Sequence, residues 1–268
     1  MSTESISSRF TVVADRFFAS RDKAFPVWQQ MREKADSASD TRGRIFSASR
    51  KIFAQKGKSA TVREICAAAQ ANVSAVNYYF GNKDKLLAAV LEQFMYEGLL
   101  LYPRDGLVPD DASPDERLFG FILSVMSGML LSHGAEYLEL NKLLLDGFLN
   151  EFPELEPVTD AGWEKMHDLT IPIVDDLSGN TLSLDAIERL STGFFAQMFF
   201  YAQHIDDMLM EKEEPEFSIA EVIAISKHIT AFAIGGIKHY SEFMNAEDVF
   251  PNLCRVDHCR RSGKLNSL

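Results

Sequence analysis

From Thr61 to Lys83 the chain reads TVREICAAAQANVSAVNYYFGNK, and its polar residues are of the types that grip a phosphodiester backbone. Tyr78 and Tyr79 offer hydroxyls and Lys83 an ammonium to phosphate oxygens. Val73, Ser74, Ala75 and, one helical turn on, Asn77 combine small size with hydrogen-bonding groups, as close approach to base edges requires. A packed core has no use for Asn77, Tyr78, Tyr79 and Lys83 so close together, and the competing reading is an ordinary solvated face. Phe80 reads as core. Charge supports the first reading. The chain carries −12 in total, yet nine Lys or Arg against two acids between Thr41 and Leu91 give +7; residues 1–40 balance, so the rest holds −19. A basic footprint of this size is what phosphate contact needs, whereas an acidic body has to face away from a polyanion.

The elements that position these residues are helices. Ile45, Ala48, Ile52 and Phe53 fall on one face of a helix expected from about Thr41 to Lys56, stopped by Gly57. Thr61-Val-Arg-Glu64 is a capping-box pattern and opens a short helix ending near Ala69; Thr61 is also an expected DNA contact, against a role as cap alone. Asn72 is a suitable cap for a second short helix over 73–80, and Asn82 for a longer one reaching about Leu101. Two short helices separated by a tight turn inside a basic unit form a helix-turn-helix, whose second helix inserts its first turn into the major groove. In that arrangement Lys83 and the amides opening its own helix hold a phosphate.

The run TVREICAAAQANVSAVNYYFGNKDKLLAAV resembles the DNA-binding module of the tetracycline-repressor (TetR) family. It has Thr61 and Ile65 four apart, a turn, a short helix ending in aromatics and Phe80, then Asn82-Lys83 and the Leu86-Leu87 pair. The resemblance covers about residues 41–95. It implies that Arg63, on the helix capped by Thr61, points into the groove, where a guanidinium takes guanine bidentately. It also implies double-stranded DNA with a palindromic operator as partner, a homodimer built on the last two long helices, and middle helices enclosing a cavity for a hydrophobic small-molecule effector. A repressor released by that effector is the expected role. Two departures stand out: the turn has Gln70-Ala71 where the family has Gly-Val, and Asn77 replaces a common recognition-helix tyrosine.

Beyond Pro103 a Pro-, Gly- and Asp-rich loop leads to periodic stretches over roughly 114–133, 135–150, 158–177, 183–211 and 218–244, with no strand alternation. The fold class is therefore all-α, in four parts: an N-terminal extension (1–40) with a helix over about 9–34, a helix-turn-helix domain (41–95), a helical ligand-binding and dimerisation domain (96–244) and a tail (245–268). The extension reads equally as a helix packed on the module, a partner surface or a mobile arm. Phe194, Phe195 and Met198 in one stripe, and Phe232, Gly236 and Tyr240 in another, are the expected dimer contacts; packing within the chain is the alternative. Phe121, Met129, Leu145, Phe148, Trp163, Met166 and His167 are the expected effector lining, against plain core.

No apolar run approaches the length of a membrane span and no signal-peptide pattern opens the chain, so no membrane partner and a cytoplasmic location are expected. Three cysteines do not make a disulfide framework. Cys254, His258 and Cys259 are too few for a zinc site, and neither metal nor cofactor is expected. No catalytic triad, phosphate loop or buried acid pair is visible, which speaks against an enzyme. The competing function is a DNA-bound interaction protein, nucleoid-associated or a co-regulator scaffold, with no small-molecule effector.

Overall fold

The computed structural model describes residues 5–131, 133–150, 152–210 and 216–244, and these contain helices and no strand. In chain order the helices are α1 (Ile6–Asp36), α2 (Thr41–Lys56), α3 (Val62–Ala68), α4 (Val73–Phe80), α5 (Lys83–Leu101), α6 (Pro114–Leu130), α7 (Ala135–Leu149), α8 (Glu156–Leu177), α9 (Leu184–Gln203), α10 (Ile205–Met210) and α11 (Ile219–Phe243), with a 3-10 turn at Gly57–Ser59 after α2.

Their starts are written in side chains that accept from the first free amides. Asp40 accepts from Gly43 at the head of α2, Asn72 from Ser74 at α4, and Asn82 from Lys85 at α5. Reciprocal capping boxes open α3 (Thr61 with Glu64), α6 (Ser113 with Glu116) and α11 (Ser218 with Glu221).

Helix α1 is built into the protein rather than projecting from it. Phe10, Val13, Phe17, Phe18 and Trp28 are buried, and the Phe10 and Phe119 rings stack at 4.4 Å. Arg9 donates to Ser113 Oγ at 2.7 Å and to Glu116, so α1 also ties down the capping box of α6. Of the three readings left open for the N-terminal extension, the packed helix is the one observed, and α1 lies against α5 and α6 as well as α2.

The rest of the core is a helical body. Helix α11 packs chiefly on α6 and α9, α8 on α9, and α7 reaches across to α2. The loop after α5 presses onto α6 at a glycine pair: a Cβ on Gly106 would lie 2.2 Å from the Gly120 carbonyl oxygen, so neither position has room for a side chain. Among the described residues helix α11 is long and apolar enough, by length and composition, to cross a membrane, which corrects the expectation that no apolar stretch approaches that length. One of its faces is occupied by α6 and α9.

Candidate nucleic-acid interface

Helices α3 and α4 are clamped against α2 and α5 by a small apolar centre in which Ile45, Phe53, Ile65, Val76, Leu86 and Leu87 are almost completely buried. The turn between α3 and α4 closes with the Ala71 amide donating to the Cys66 carbonyl at 2.9 Å. Gln70 occupies the position that wants a glycine and takes a left-handed φ of 50°. The Arg44 guanidinium donates to the Ala69 carbonyl beside it, pinning the turn to α2.

With the apolar centre turned inward, the opposite face of α3 and α4 carries the expected contact residues. Arg63, Val73, Ser74, Asn77, Tyr78 and Tyr79 are all exposed, and Ala75 is half-buried. Tyr78 is 83% exposed and meets Tyr79 edge-on at 4.8 Å, an arrangement without packing value inside the chain. Phe80 is half-buried and stacks on Phe46 at 6.4 Å, and the Arg42 guanidinium lies over its ring at 5.4 Å. Gly81 ends α4 at φ 86°, which lets Asn82 swing out and cap α5.

Three of the expected residues have structural partners. The Thr61 hydroxyl belongs to the capping box with Glu64. Ser74 Oγ is held by Asn72 Oδ1 at 2.9 Å. Lys83 Nζ donates to the Lys58 carbonyl at 2.5 Å, joining the start of α5 to the 3-10 turn. Arg63, Asn77 and the two tyrosines are therefore the groups whose donors project from this surface.

The basic residues of the module divide into two sets. Arg42, Arg63 and Lys85 are exposed. Arg50 is instead interior: it grips Glu97 with two hydrogen bonds, at 2.8 and 3.0 Å, and donates to Glu136 at 3.0 Å. Burial alone would lower its pKa, but the two carboxylates outweigh it and the value is raised. Lys58 pairs with Asp146 on α7 at 2.6 Å. Lys56 pairs with Glu64, whose pKa falls to about 2 through that bond and the Thr61 amide and hydroxyl. Part of the positive charge counted in the sequence thus joins the module to the body, and the remainder faces outward.

The profile of the bacterial regulatory proteins of the tetR family matches residues 45–90, which run from α2 through α3 and α4 into α5. Residues 45–90 are thus similar to the DNA-binding module of that family. A Bacillus subtilis protein named HTH-type transcriptional regulator YvaF, uncharacterised, is 30% identical over 114 residues, 40% of this chain and 60% of that protein. A Streptomyces coelicolor protein, HTH-type transcriptional repressor SCO4008, is 40% identical over 72 residues, 26% of this chain and 36% of that protein. The chain thus spans less than two thirds of the length of these curated relatives. A solved transcriptional regulator from Rhodococcus sp. Rha1 shares the fold with a TM-score of 0.52 at 18% identity, over 79% of this chain and all of that one. A TetR-family regulator structure from Rhodococcus sp. gives 0.51 at 17%, over 73% of this chain and all of its own.

In the body, the residues expected to line an effector cavity are brought together, but they fill the space with one another. Phe148, Trp163 and His167 meet Phe195 and Phe199: Trp163 lies 5.8 Å from Phe148, 5.5 Å from Phe195 and 5.4 Å from Phe199, while His167 is 5.5 Å from Phe195. Phe121 joins from the other side at 6.0 Å from Phe195, and Met129, Leu145 and Met166 are buried. Burial pulls the His167 pKa down and so favours the neutral ring. A cleft of about 600 Å³ opens elsewhere, between the end of α2 and α7, lined by Phe53, Lys56, Ser59, Glu139, Lys142 and Asp146; none of the expected residues reaches it.

The expected dimer contacts need correction on α9. Phe194, Phe195 and Met198 are at most 2% exposed within a single chain, because they form the inner face of α9, and a side chain without exposed surface has none to offer a partner. The outer face of α9 carries Gly193, Ala196 and Phe200 instead, with Phe200 60% exposed. On α11, Phe232 and Gly236 are exposed and Tyr240 is half-buried, with its hydroxyl accepting from Arg189. Sequence periodicity finds an apolar stripe but cannot tell the inner from the outer side of a helix apolar on both. Cys254, His258 and Cys259 lie outside the described residues.

Proposed function

We propose that this regulator is a one-component repressor that binds a palindromic operator as a homodimer in the cytoplasm and is released by a small molecule, with no catalytic step. The observation that carries the DNA half is the exposed face of α3 and α4, where Arg63, Asn77, Tyr78 and Tyr79 project away from a buried apolar centre, on a module where Arg42 and Lys85 are also exposed while Arg50 and Lys58 are tied to the body. Arg63 and Asn77, with Val73, Ser74 and Ala75, read bases; Tyr78, Tyr79 and Lys83 position the backbone, and Thr61 fixes the start of α3. The homodimer is supported by the apolar outer faces of α9 and α11, where Phe200 and Phe232 are 60% and 65% exposed. Two-fold pairing of those faces sets two modules at a fixed separation and so demands a two-fold symmetric site. The Streptomyces relative is named a repressor, which favours that sign of regulation.

Effector release is supported by the junction of α2 with α7, where Arg50, Lys58 and the cleft at Lys56 and Asp146 link the module to the body. A second reading, a DNA-bound scaffold without an effector, is favoured by the closed packing of the Phe121–Trp163–Phe195 cluster and the open, polar character of that cleft. Selection of bound duplexes from a random library tests the main reading. Enrichment of an inverted repeat, bound by two chains, is expected; enrichment of single half-sites, or none, sinks the dimeric operator.

A further inference from the structure

Helix α11 turns one face outward, and the residues on that face are arranged about a midpoint. Counted outward from the bond between Ala233 and Ile234, exposed residues fall in pairs: Phe232 with Gly235, Ala231 with Gly236, His228 with His239, and Ala224 with Phe243. Phe232 and Phe243 are 65% and 78% exposed, whereas a Cβ built on Gly235 or Gly236 meets nothing. Each large ring is matched, at equal distance on the other side of the midpoint, by a residue with a methyl group or no side chain.

In a two-fold contact, the residue that meets i on the partner is met by i in return. Two copies of α11 running antiparallel about that midpoint therefore set Phe232 over the partner's Gly235 and Phe243 over the partner's Ala224. A parallel pairing sets Phe232 against the partner's Phe232 and glycine against glycine, which crowds the rings and holds the backbones apart. A shallow crossing of about 20° keeps such a seam in contact over several turns. His228 and His239 lie about 8 Å along the axis on either side of the midpoint, within that seam.

The geometry gives these histidines a defined chemistry. His239 Nδ1 lies 2.8 Å from the Glu242 carboxylate, which when ionised only accepts, so Nδ1 carries the proton and Nε2 is left to accept. An N–H of the partner's His228 matches that acceptor. The other charges bordering the face are directed elsewhere: Lys227 to Thr11 on α1, Lys238 to Asp115 on α6, and Arg189 to Asp185 and Tyr240.

We propose that α11 docks antiparallel on α11 of a second copy, about an axis passing between Ala233 and Ile234, and that His239 of each chain meets the partner's His228, which makes the contact sensitive to acid. Imidazole titrates between about pH 5 and 8. Separate chains can protonate both rings of such a pair, while a facing pair holds one proton beside Glu242 and resists a second, because like charges in contact disfavour each other. The dimer thus binds fewer protons than the separated chains, and its affinity falls as pH falls through that range. This inference rests on the homodimer proposed above and adds to it a register and a regulator, the proton.

The test uses the full chain with Cys254→Ser and Cys259→Ser, Cys66 being buried. His228→Cys and His239→Cys together are expected to give a disulfide-linked dimer under mild oxidation, and either alone is not; both positions are exposed, so neither change disturbs the core. In sedimentation of the native chain, the dimer dissociation constant is expected to rise about ten- to a hundredfold between about pH 8 and about pH 5.5, roughly tenfold for each histidine pair. His228→Gln with His239→Gln should remove most of that rise. Cross-linking by a single cysteine as readily as by the two together, failure of the two to cross-link a chain that sediments as a dimer, a pH-independent dimer, or an unaltered pH response in the double glutamine variant would each overturn the pairing alone. A chain that stays monomeric at about pH 8 would sink the homodimer itself, and the pairing with it.

Discussion

Within the stretch from Thr61 to Lys83, the proposed roles of reading and positioning can be tested residue by residue. Arg63 is exposed at the outer face of α3, so Arg63→Ala is expected to cost about 1–3 kcal/mol on a selected operator and less on random duplex, with relaxed preference at one position in each half-site. Lys83 sits at the head of α5 with its ammonium on the Lys58 carbonyl, and Lys83→Ala should weaken both duplexes alike and lower the salt slope by about one. Fluorescence anisotropy at two salt concentrations checks both; equal losses for Arg63→Ala on the two duplexes would make it a phosphate contact. The same helix carries a pH response. Because Lys56 and the Thr61 amide and hydroxyl stabilise the ionised Glu64, its folded pKa of about 2 lies below the ordinary 4.5. The stabilisation is therefore complete above pH 4.5 and is lost as pH falls toward 2. Acid titration followed by amide exchange in α3 should show this loss, and Glu64→Gln should flatten it. Most of this face was legible because caps and aromatics declare themselves locally. What the residue types concealed was the second employment of Thr61, Ser74 and Lys83, whose polar atoms serve the fold's own turns. The missing turn glycine is answered by Gln70 adopting the left-handed backbone itself.

At the scale of elements, the joint between module and body is an ion network that no local pattern announces. Arg50 from α2, Glu97 from α5, Glu136 from α7 and Arg32 from α1 meet through contacts 47 to 104 residues apart in sequence. Arg50 and Glu97 are each 4% exposed. Removing one member strands a buried charge: Glu97→Ala is expected to destabilise the protein by about 3–5 kcal/mol, whereas the paired change Arg50→Met with Glu97→Leu should be near neutral or stabilising. Denaturant melts of the single and paired variants decide it, and a paired variant as unstable as Glu97→Ala would mean that the network provides more than neutralised charge. Helix order and the caps Thr61, Asn72 and Asn82 were readable because each is set by a few adjacent residues, whereas the break of the 183–211 stretch into α9 and α10 was not. The docking of α1 was not, since a stripe such as Phe10, Phe17 and Trp28 specifies that something must cover it, not which helix does so. For the same reason the aromatic residues of α6–α9 were visible as a set, while their mutual packing was not.

The whole molecule raises the question of what covers α11. Its inner residues Val222, Ile229, Ala233 and Ile237 are buried against α6 and α9, yet Ala231, Phe232, Gly235 and Gly236 remain exposed on the other side, and a Cβ built on either glycine meets nothing. Phe200 continues this surface from α9. Large apolar side chains next to glycines let a second helix approach closely, and the two-fold partner proposed for a palindromic site would supply one. Phe232→Glu is the sharper probe, because its side chain is 65% exposed in the single chain and the substitution costs the monomer's core nothing. In a dimer the same carboxylate would be buried without a partner, at a cost of several kcal/mol. The variant is therefore expected to keep its helical content and melting cooperativity while sedimenting near 30.1 kDa and losing protection of the second half-site. Phe195→Glu serves as the contrast: it lies in the interior of the body and should unfold the protein rather than dissociate it. If Phe232→Glu sedimented as native protein does and still protected both half-sites, the outer face of α11 would have to be covered by something other than a second copy of the chain.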